Sequence, residues 1–168
     1  ELPLQRRGYA EAITHPQALD AIRSGFRQAI AVAYVEWGAP EPQHTIVDWM
    51  KISDPVSAKA FAERLIHEPR QAFGYNSISA AIDYSANLIR TNQFTGSRMI
   101  IDVSGDGPQI GGRLLSSARG EAVLNGITIN ALVIDAPGGG HRGPSGEPLV
   151  DHYRNDVIGG SGAFVMTA

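Results

Sequence analysis

Three features of the sequence predict an α/β fold with helices on both faces of a mostly parallel sheet. Short β-like apolar runs alternate with longer stretches whose apolar residues recur at helical spacing. Ala29–Trp37 (AIAVAYVEW) is almost continuously apolar, as in a strand covered on both faces. The Pro-rich link Gly38–Gln43 is too short for a helical crossover, so Ala29–Trp37 and His44–Ile52 should pair antiparallel, the second at the sheet edge. The expected architecture is a three-layer α/β/α sandwich with a doubly wound sheet, built as a single domain over residues 1–168.

The elements follow in order. A helix is expected near Leu4–Ile13, and a shorter one after His15-Pro16, where the proline suits the first turn. Asp54-Pro55 reads as an N-cap and first-turn pair, with Val56, Ala60, Phe61 and Leu65 forming one apolar face. After Tyr75-Asn76-Ser77 comes a helix presenting Ile78, Ile82, Ser85 and Ile89 on one side. Arg98–Val103 is a buried strand, and Ile110–Leu124 is expected to be helical with Ile110, Leu114 and Ala118 inward. Ile127–Ile134 is the next strand, and the glycine-rich stretch Pro137–Gly146 reads as a loop. A helix near Pro148–Val157 and a strand at Ala163–Thr167 close the chain. The pair Arg6-Arg7 reads as a solvated helix face.

Composition removes several function classes. A net charge of −3 gives no reason to expect nucleic acid or an anionic membrane as partner. No apolar run approaches the ~20 residues that membrane insertion requires. With zero cysteines, disulfides, thiolate catalysis and cysteine-ligated zinc are excluded.

Chemistry is expected where parallel strands end, because ligand sites in such sheets form at the carboxyl ends of strands. Two segments should meet there: Gly74-Tyr75-Asn76-Ser77-Ile78-Ser79 before a helix, and Ser104-Gly105-Asp106-Gly107-Pro108 after a strand. They supply a carboxylate, an amide and hydroxyls, hard oxygen donors suited to Mg²⁺, Mn²⁺ or Ca²⁺.

The segments I-D-V-S-G-D-G-P (Ile101–Pro108), G-Y-N-S-I-S (Gly74–Ser79), the C-terminal V-I-G-G-S-G-A-F-V and the opening L-Q-R-R-G-Y-A resemble a bacterial group of von Willebrand factor A-like proteins. The resemblance covers essentially the whole chain. It implies a noncatalytic recognition module, periplasmic or secreted, that binds an acidic side chain of a protein partner through a divalent cation. In that family the metal-ion-dependent adhesion site draws on three loops. Asp106 falls where the third loop's aspartate belongs, and Asn76 where the second loop's threonine belongs, an exchange of amide for hydroxyl. The first loop, D-x-S-x-S, and the central strand that carries it have no counterpart in this chain, so cation binding is expected to be weak or absent. The resemblance also places a lane of about 10 Å between Ala29–Trp37 and Arg98–Val103. Asp102, Ser104, Ser77 and Ser79 are expected around the two ligands, with Asp102 pointing into the layer beside the site or capping a loop.

Bland readings stand beside these. Asp106 satisfies backbone amides in many Gly-rich turns, and Asn76, Ser77 and Ser79 suit ordinary helix caps. A phosphate site at Gly105–Gly112 lacks G-x-G-x-x-G spacing and carries an aspartate and a proline in its turn. A hydrolase using the Ser104/Asp106 loop, with His141 or His152 as base, is the main alternative, although Asp102 stands where a nucleophile elbow needs glycine. His15, His44 and His67 are expected to be exposed, and the five histidines show no H-x-x-x-H spacing.

Overall fold

A computed structural model describes residues 2–134 and 140–168, so Pro137–Gly139 of the glycine-rich stretch lie outside the described residues. The fold is mixed α/β, with one antiparallel strand pair, one parallel three-stranded sheet and helices around them. The chain divides into two compact units, residues 1–36 with 44–71 and residues 37–43 with 72–168.

The first unit contains α1 (Leu2–Thr14), α2 (Pro16–Ser24), β1 (Ile30–Glu36), β2 (His44–Ile52) and α3 (Pro55–His67). Local chemistry fixes the helix starts. His15 caps α2 by accepting from Gln17 N–H, with Pro16 in the first turn. Asp54 caps α3 through a capping box in which Ser57 N–H donates to the carboxylate and Ser57 Oγ reaches back to the Asp54 backbone. β1 and β2 pair antiparallel from Ile30↔Ile52 to Glu36↔His44, with irregular register around Tyr34, as the short link requires. The core joins Ala10, Leu19, Ile46, Val47 and Ile52 to Ala58, Phe61, Ala62 and Leu65 of α3. The buried stripe of α3 is therefore rotated from the one expected, since Val56 is 79% exposed. The capping geometry turns the first-turn Val56 to solvent, and Ala58 at the i−3 position of Phe61 takes its place.

Arg6 departs furthest from expectation, because it is not on a solvated face. Its guanidinium is buried and ion-paired with Glu36 Oε1 at the end of β1. It also donates to the carbonyls of Leu65, Glu68 and Pro69, while Glu36 Oε2 accepts from Gln71 N–H at 3.0 Å. The pair thus ties α1, β1 and the segment leaving α3 together. Nearby, burial and then the Glu36 carboxylate push the Tyr34 phenol up to about 12.

The second unit holds α4 (Ile78–Thr91), β3 (Met99–Gly105), α5 (Leu115–Leu124), β4 (Ile127–Val133), α6 (Leu149–His152) and β5 (Val165–Thr167). α6 passes directly into a π-helical turn, Tyr153–Val157, closed by Ile158 N–H bonding to Tyr153 O at 3.0 Å. The sheet order is β3-β4-β5, all parallel, with Met99↔Ile127 through Gly105↔Val133 and then Ala131↔Val165 in register. Alternate residues of β3 and β4 (Ile101 and Val103; Ile127, Ile129, Ala131 and Val133) form one core with Ile78, Ile82, Leu115, Ala118, Leu149, Tyr153 and Val157. Trp37 packs against that core.

The helix expected over Ile110–Leu124 is shorter. α5 starts at Leu115, and Ile110 and Leu114 are 47% and 74% exposed instead of inward. Gly111 and Gly112 explain this, since their φ angles of +72° and +79° lie in the left-handed region and stop a right-handed helix. Those two residues shape the loop discussed next.

Candidate functional site

The carboxyl end of β3 runs into the loop 106–114, and the turn 74–77 leads into α4 beside it. Hydrogen bonds stitch the two segments together. Ile110 N–H donates to Asn76 O at 2.6 Å, and Ser77 N–H donates to Gly38 O at 2.7 Å. The Gln109 amide straddles the start of α4: its Oε1 accepts from Ser79 N–H at 2.9 Å, while its Nε2 donates to Ser79 Oγ at 2.8 Å and to Gly111 O. Ser77 Oγ completes the seam by donating to Gly111 O at 3.4 Å.

From the other side, the turn of α6 holds the same loop. Tyr153 OH donates to Gly107 O at 2.9 Å, and Gln109 N–H donates to His152 Nε2 at 3.3 Å. His152 Nδ1 lies 2.9 Å from Asp156 Oδ2, which fixes the ring. Burial, and secondarily the Asp106 charge, push the Tyr153 phenol well above its ordinary range, so it remains a neutral donor. Farther along the loop, Arg113 clamps Asp83 of α4 and Glu121 of α5, with four hydrogen bonds of 2.7 Å. Those bonds hold the Glu121 carboxyl below its ordinary range.

At the centre of these anchors Asn76 and Asp106 meet, thirty residues apart in sequence, with Asn76 Nδ2 3.4 Å from Asp106 Oδ1. Both are half-buried. Gly107 permits the approach, since a Cβ there would overlap Asn76 Nδ2. The donor set suits a hard cation: one carboxylate, and one amide that presents its oxygen on a half-turn of χ2. The contact at 3.4 Å is long for a hydrogen bond, so turning the amide sacrifices little.

The other expected residues distribute differently. Ser77 and Ser79 are fully buried beneath the loop, and their hydroxyls serve Gly111 O and Gln109. Ser77 occupies the N-cap position of α4 without a side-chain cap bond, so Asn76 is not the cap. Asp102 belongs to neither the site nor a loop cap. It is exposed on β3 and accepts from Asn130 Nδ2 of β4 at 2.8 Å. Strand alternation explains this: Asp102 points away from the face that carries Ile101 and Val103. Ser104 Oγ is buried without a hydrogen-bond partner among the described residues.

Of the residues that organise the loop, the sequence offers His152 only as a base for the alternative hydrolase and does not single out Gln109 or Tyr153. A further sequence trace is His152-x-x-x-Asp156, an i,i+4 pair on one helical face, with Glu147 five residues upstream of the histidine. Beside the polar centre, Tyr75 and Ile110 expose apolar side chains, Tyr75 to 51%. No helix among the described residues is long and apolar enough to cross a membrane.

Fold and site together define a mixed α/β chain carrying a pinned polar loop pair at the carboxyl end of a parallel strand. Over residues 1–168 the chain matches the family described as "Protein of unknown function (DUF1194)", and it belongs to that family. Among solved structures it is similar to an aerotolerance-related membrane protein of Bacteroides fragilis NCTC 9343, in a form with multiple mutations to serines. That match has 16% identity and a TM-score of 0.56, covering 99% of this chain and 80% of the other. The chain is also similar to the conserved hypothetical protein BatB of Bacteroides thetaiotaomicron, at 17% identity and a TM-score of 0.51, covering 97% and 85%. At these identities the likeness establishes the fold alone. No curated protein matches the chain.

Proposed function

We propose that the chain is a noncatalytic recognition module of the von Willebrand factor A-like kind. In this reading Asp106 and Asn76 hold a divalent cation (Mg²⁺, Mn²⁺ or Ca²⁺), and the cation presents an open position to a carboxylate of a protein partner. The observation that carries the reading is the meeting of Asp106 and Asn76 across thirty residues of chain, within two loops pinned from both sides. A cation clamped by one carboxylate stays net positive, and so retains attraction for an acidic partner. The exposed Tyr75 and Ile110 give that partner apolar area to cover beside the charged centre, as protein interfaces require. One similar solved structure is described as a membrane protein, which supports placing the module outside the cytoplasm, in or near the cell envelope.

Isothermal titration of Mg²⁺, which prefers all-oxygen ligands, with and without acetate as a stand-in carboxylate, tests this reading. Weak binding in the millimolar range, strengthened by acetate and lost in Asp106→Asn, is the expected result. Binding that D106N leaves intact would remove the basis of the proposal. The competing hydrolase reading needs Ser104 to engage a base. Ser104 Oγ has no hydrogen-bond partner among the described residues, His141 and His152 included, and His152 is instead bonded to Asp156 and Gln109, which favours the noncatalytic one.

A further inference from the structure

Next to the Asp106 loop lies a donor cluster that supplies no cation ligand to the recognition site. Glu147, His152 and Asp156 bring one ligand atom each to within 4.8 Å of one another. His152 Nδ1 is 2.9 Å from Asp156 Oδ2 and 3.8 Å from Glu147 Oε1. The imidazole is 97% buried while the two carboxylates reach solvent, so the cluster is a socket with nitrogen at its base and oxygens at its mouth.

Three features separate it from a chance surface group. First, one Nδ1–H cannot satisfy two carboxylates. It bonds to Asp156, and Glu147 Oε1 is left beyond hydrogen-bond reach although aimed at the same nitrogen. Second, the backbone makes room for that carboxylate: a Cβ on Gly143 would overlap Glu147 Oε1 and come within 2.9 Å of His152 Cβ. Ser145 N–H holds the other oxygen, Glu147 Oε2, at 2.9 Å, which leaves Oε1 facing the ring. Third, the π-helical turn beginning at Tyr153 sets where Asp156 falls relative to His152.

We infer that Glu147 Oε1, His152 Nδ1 and Asp156 Oδ2 form a three-ligand site for a borderline divalent cation of the zinc class, with a fourth position open to water or an incoming donor. One nitrogen and two carboxylate oxygens match that class. Bond lengths of about 2.0–2.2 Å around a tetrahedral ion put ligand atoms roughly 3.3–3.6 Å apart, between the 2.9 and 3.8 Å separations from His152 Nδ1.

Metal uptake is linked to the neighbouring loop by proton bookkeeping. In the metal-free ring the proton sits on Nδ1, because Nε2 accepts from Gln109 N–H. A metal–nitrogen bond at Nδ1 releases that proton to solvent, and the neutral ring takes one up at Nε2. Two donors, Nε2–H and Gln109 N–H, then face each other, so Gln109 must shift. Gln109 in turn grips Ser79 and Gly111. The inference does not depend on a cation at Asp106.

The test is titration of Zn²⁺ into the chelator-treated chain by calorimetry, alongside amide ¹H–¹⁵N spectra. The expected result is one equivalent bound at micromolar Kd or tighter, with the Gln109 amide among the most shifted. Glu147→Gln, which spares the buried ring, should weaken binding by roughly 10–100-fold. His67→Gln, at an exposed histidine, should leave it unchanged. Absence of stoichiometric binding would overturn the inference, as would E147Q retaining the parent affinity or H67Q abolishing the binding.

Discussion

Replacing Arg6 by methionine should unravel much of the first unit, and the size of the loss follows from what the guanidinium touches. Methionine fills similar length but supplies no charge and no donors. Glu36, 2% exposed, would keep a buried negative charge without its cation, and the carbonyls of Leu65, Glu68 and Pro69 would lose theirs. Breaking one side of a buried pair costs about 3–5 kcal/mol, against a total stability of roughly 5–15 kcal/mol for a domain. At a urea slope near 2 kcal/mol/M, the midpoint should fall by about 1.5–2.5 M. The two tryptophans allow the unit to be watched by itself, since Trp49 lies in β2 and Trp37 belongs to the second unit. A Trp37→Phe background therefore makes fluorescence report the first unit. In that background R6M and Glu36→Met should be less than additive when combined, because the second change removes a charge already stranded. A loss below about 1 kcal/mol for R6M would refute the reasoning and return Arg6 to the solvated face expected from sequence.

Other outcomes follow from the same geometry. Gly112→Ala forces a side chain into left-handed backbone with its Cβ 2.6 Å from Ser77 Oγ, and should cost about 1–3 kcal/mol. Gly120→Ala, in α5 with open space around it, should instead stabilise by about 0.4–1 kcal/mol; thermal melts that rank the two alike would contradict this. Tyr153→Phe strands Gly107 O and should lose about 1–3 kcal/mol, with the largest amide shifts in the 105–109 segment. Hydrogen bonds from Ser57, its backbone N–H foremost, hold the Asp54 carboxyl below its ordinary 3.8, and Arg113 holds Glu121 below 4.5. Both folded values are depressed, so their stabilisation is present above those ordinary values and is lost as pH falls through the lower folded ones. The stability deficit of Asp54→Ala should accordingly hold at neutral pH and shrink as pH falls below 3.8, and a constant deficit would argue against the cap as its source.

Sequence made the element order legible because it is written in local patterns. The short Gly38–Gln43 link was enough to specify the antiparallel β1–β2 pair, and Asp54-Pro55 enough to start α3. The convergence of Asn76 and Asp106 was also legible, since strand-end placement depends on topology rather than on side-chain detail. Tertiary information was not. Nothing local marks Arg6 as buried, because its partner Glu36 lies thirty residues away and its carbonyl acceptors about sixty. The overlong helix at Ile110 came from following apolar spacing through Gly111-Gly112, whose left-handed backbone outweighs periodicity. The loop-holding roles of His152, legible only as a candidate base, and of Tyr153 were not legible, because they rest on which backbone atoms the two reach, Gln109 N and Gly107 O.

The claim that the two loops form one cation-binding centre is tested most directly by following Mg²⁺ addition in amide ¹H–¹⁵N spectra of the chain and of D106N. Mg²⁺ takes oxygen ligands, so it should favour Asp106 and Asn76 over the His152 socket. The account predicts saturable shifts confined to the 74–79 and 104–112 segments, weak in affinity and gone in D106N. Shifts located elsewhere, or shifts that D106N leaves in place, would contradict it.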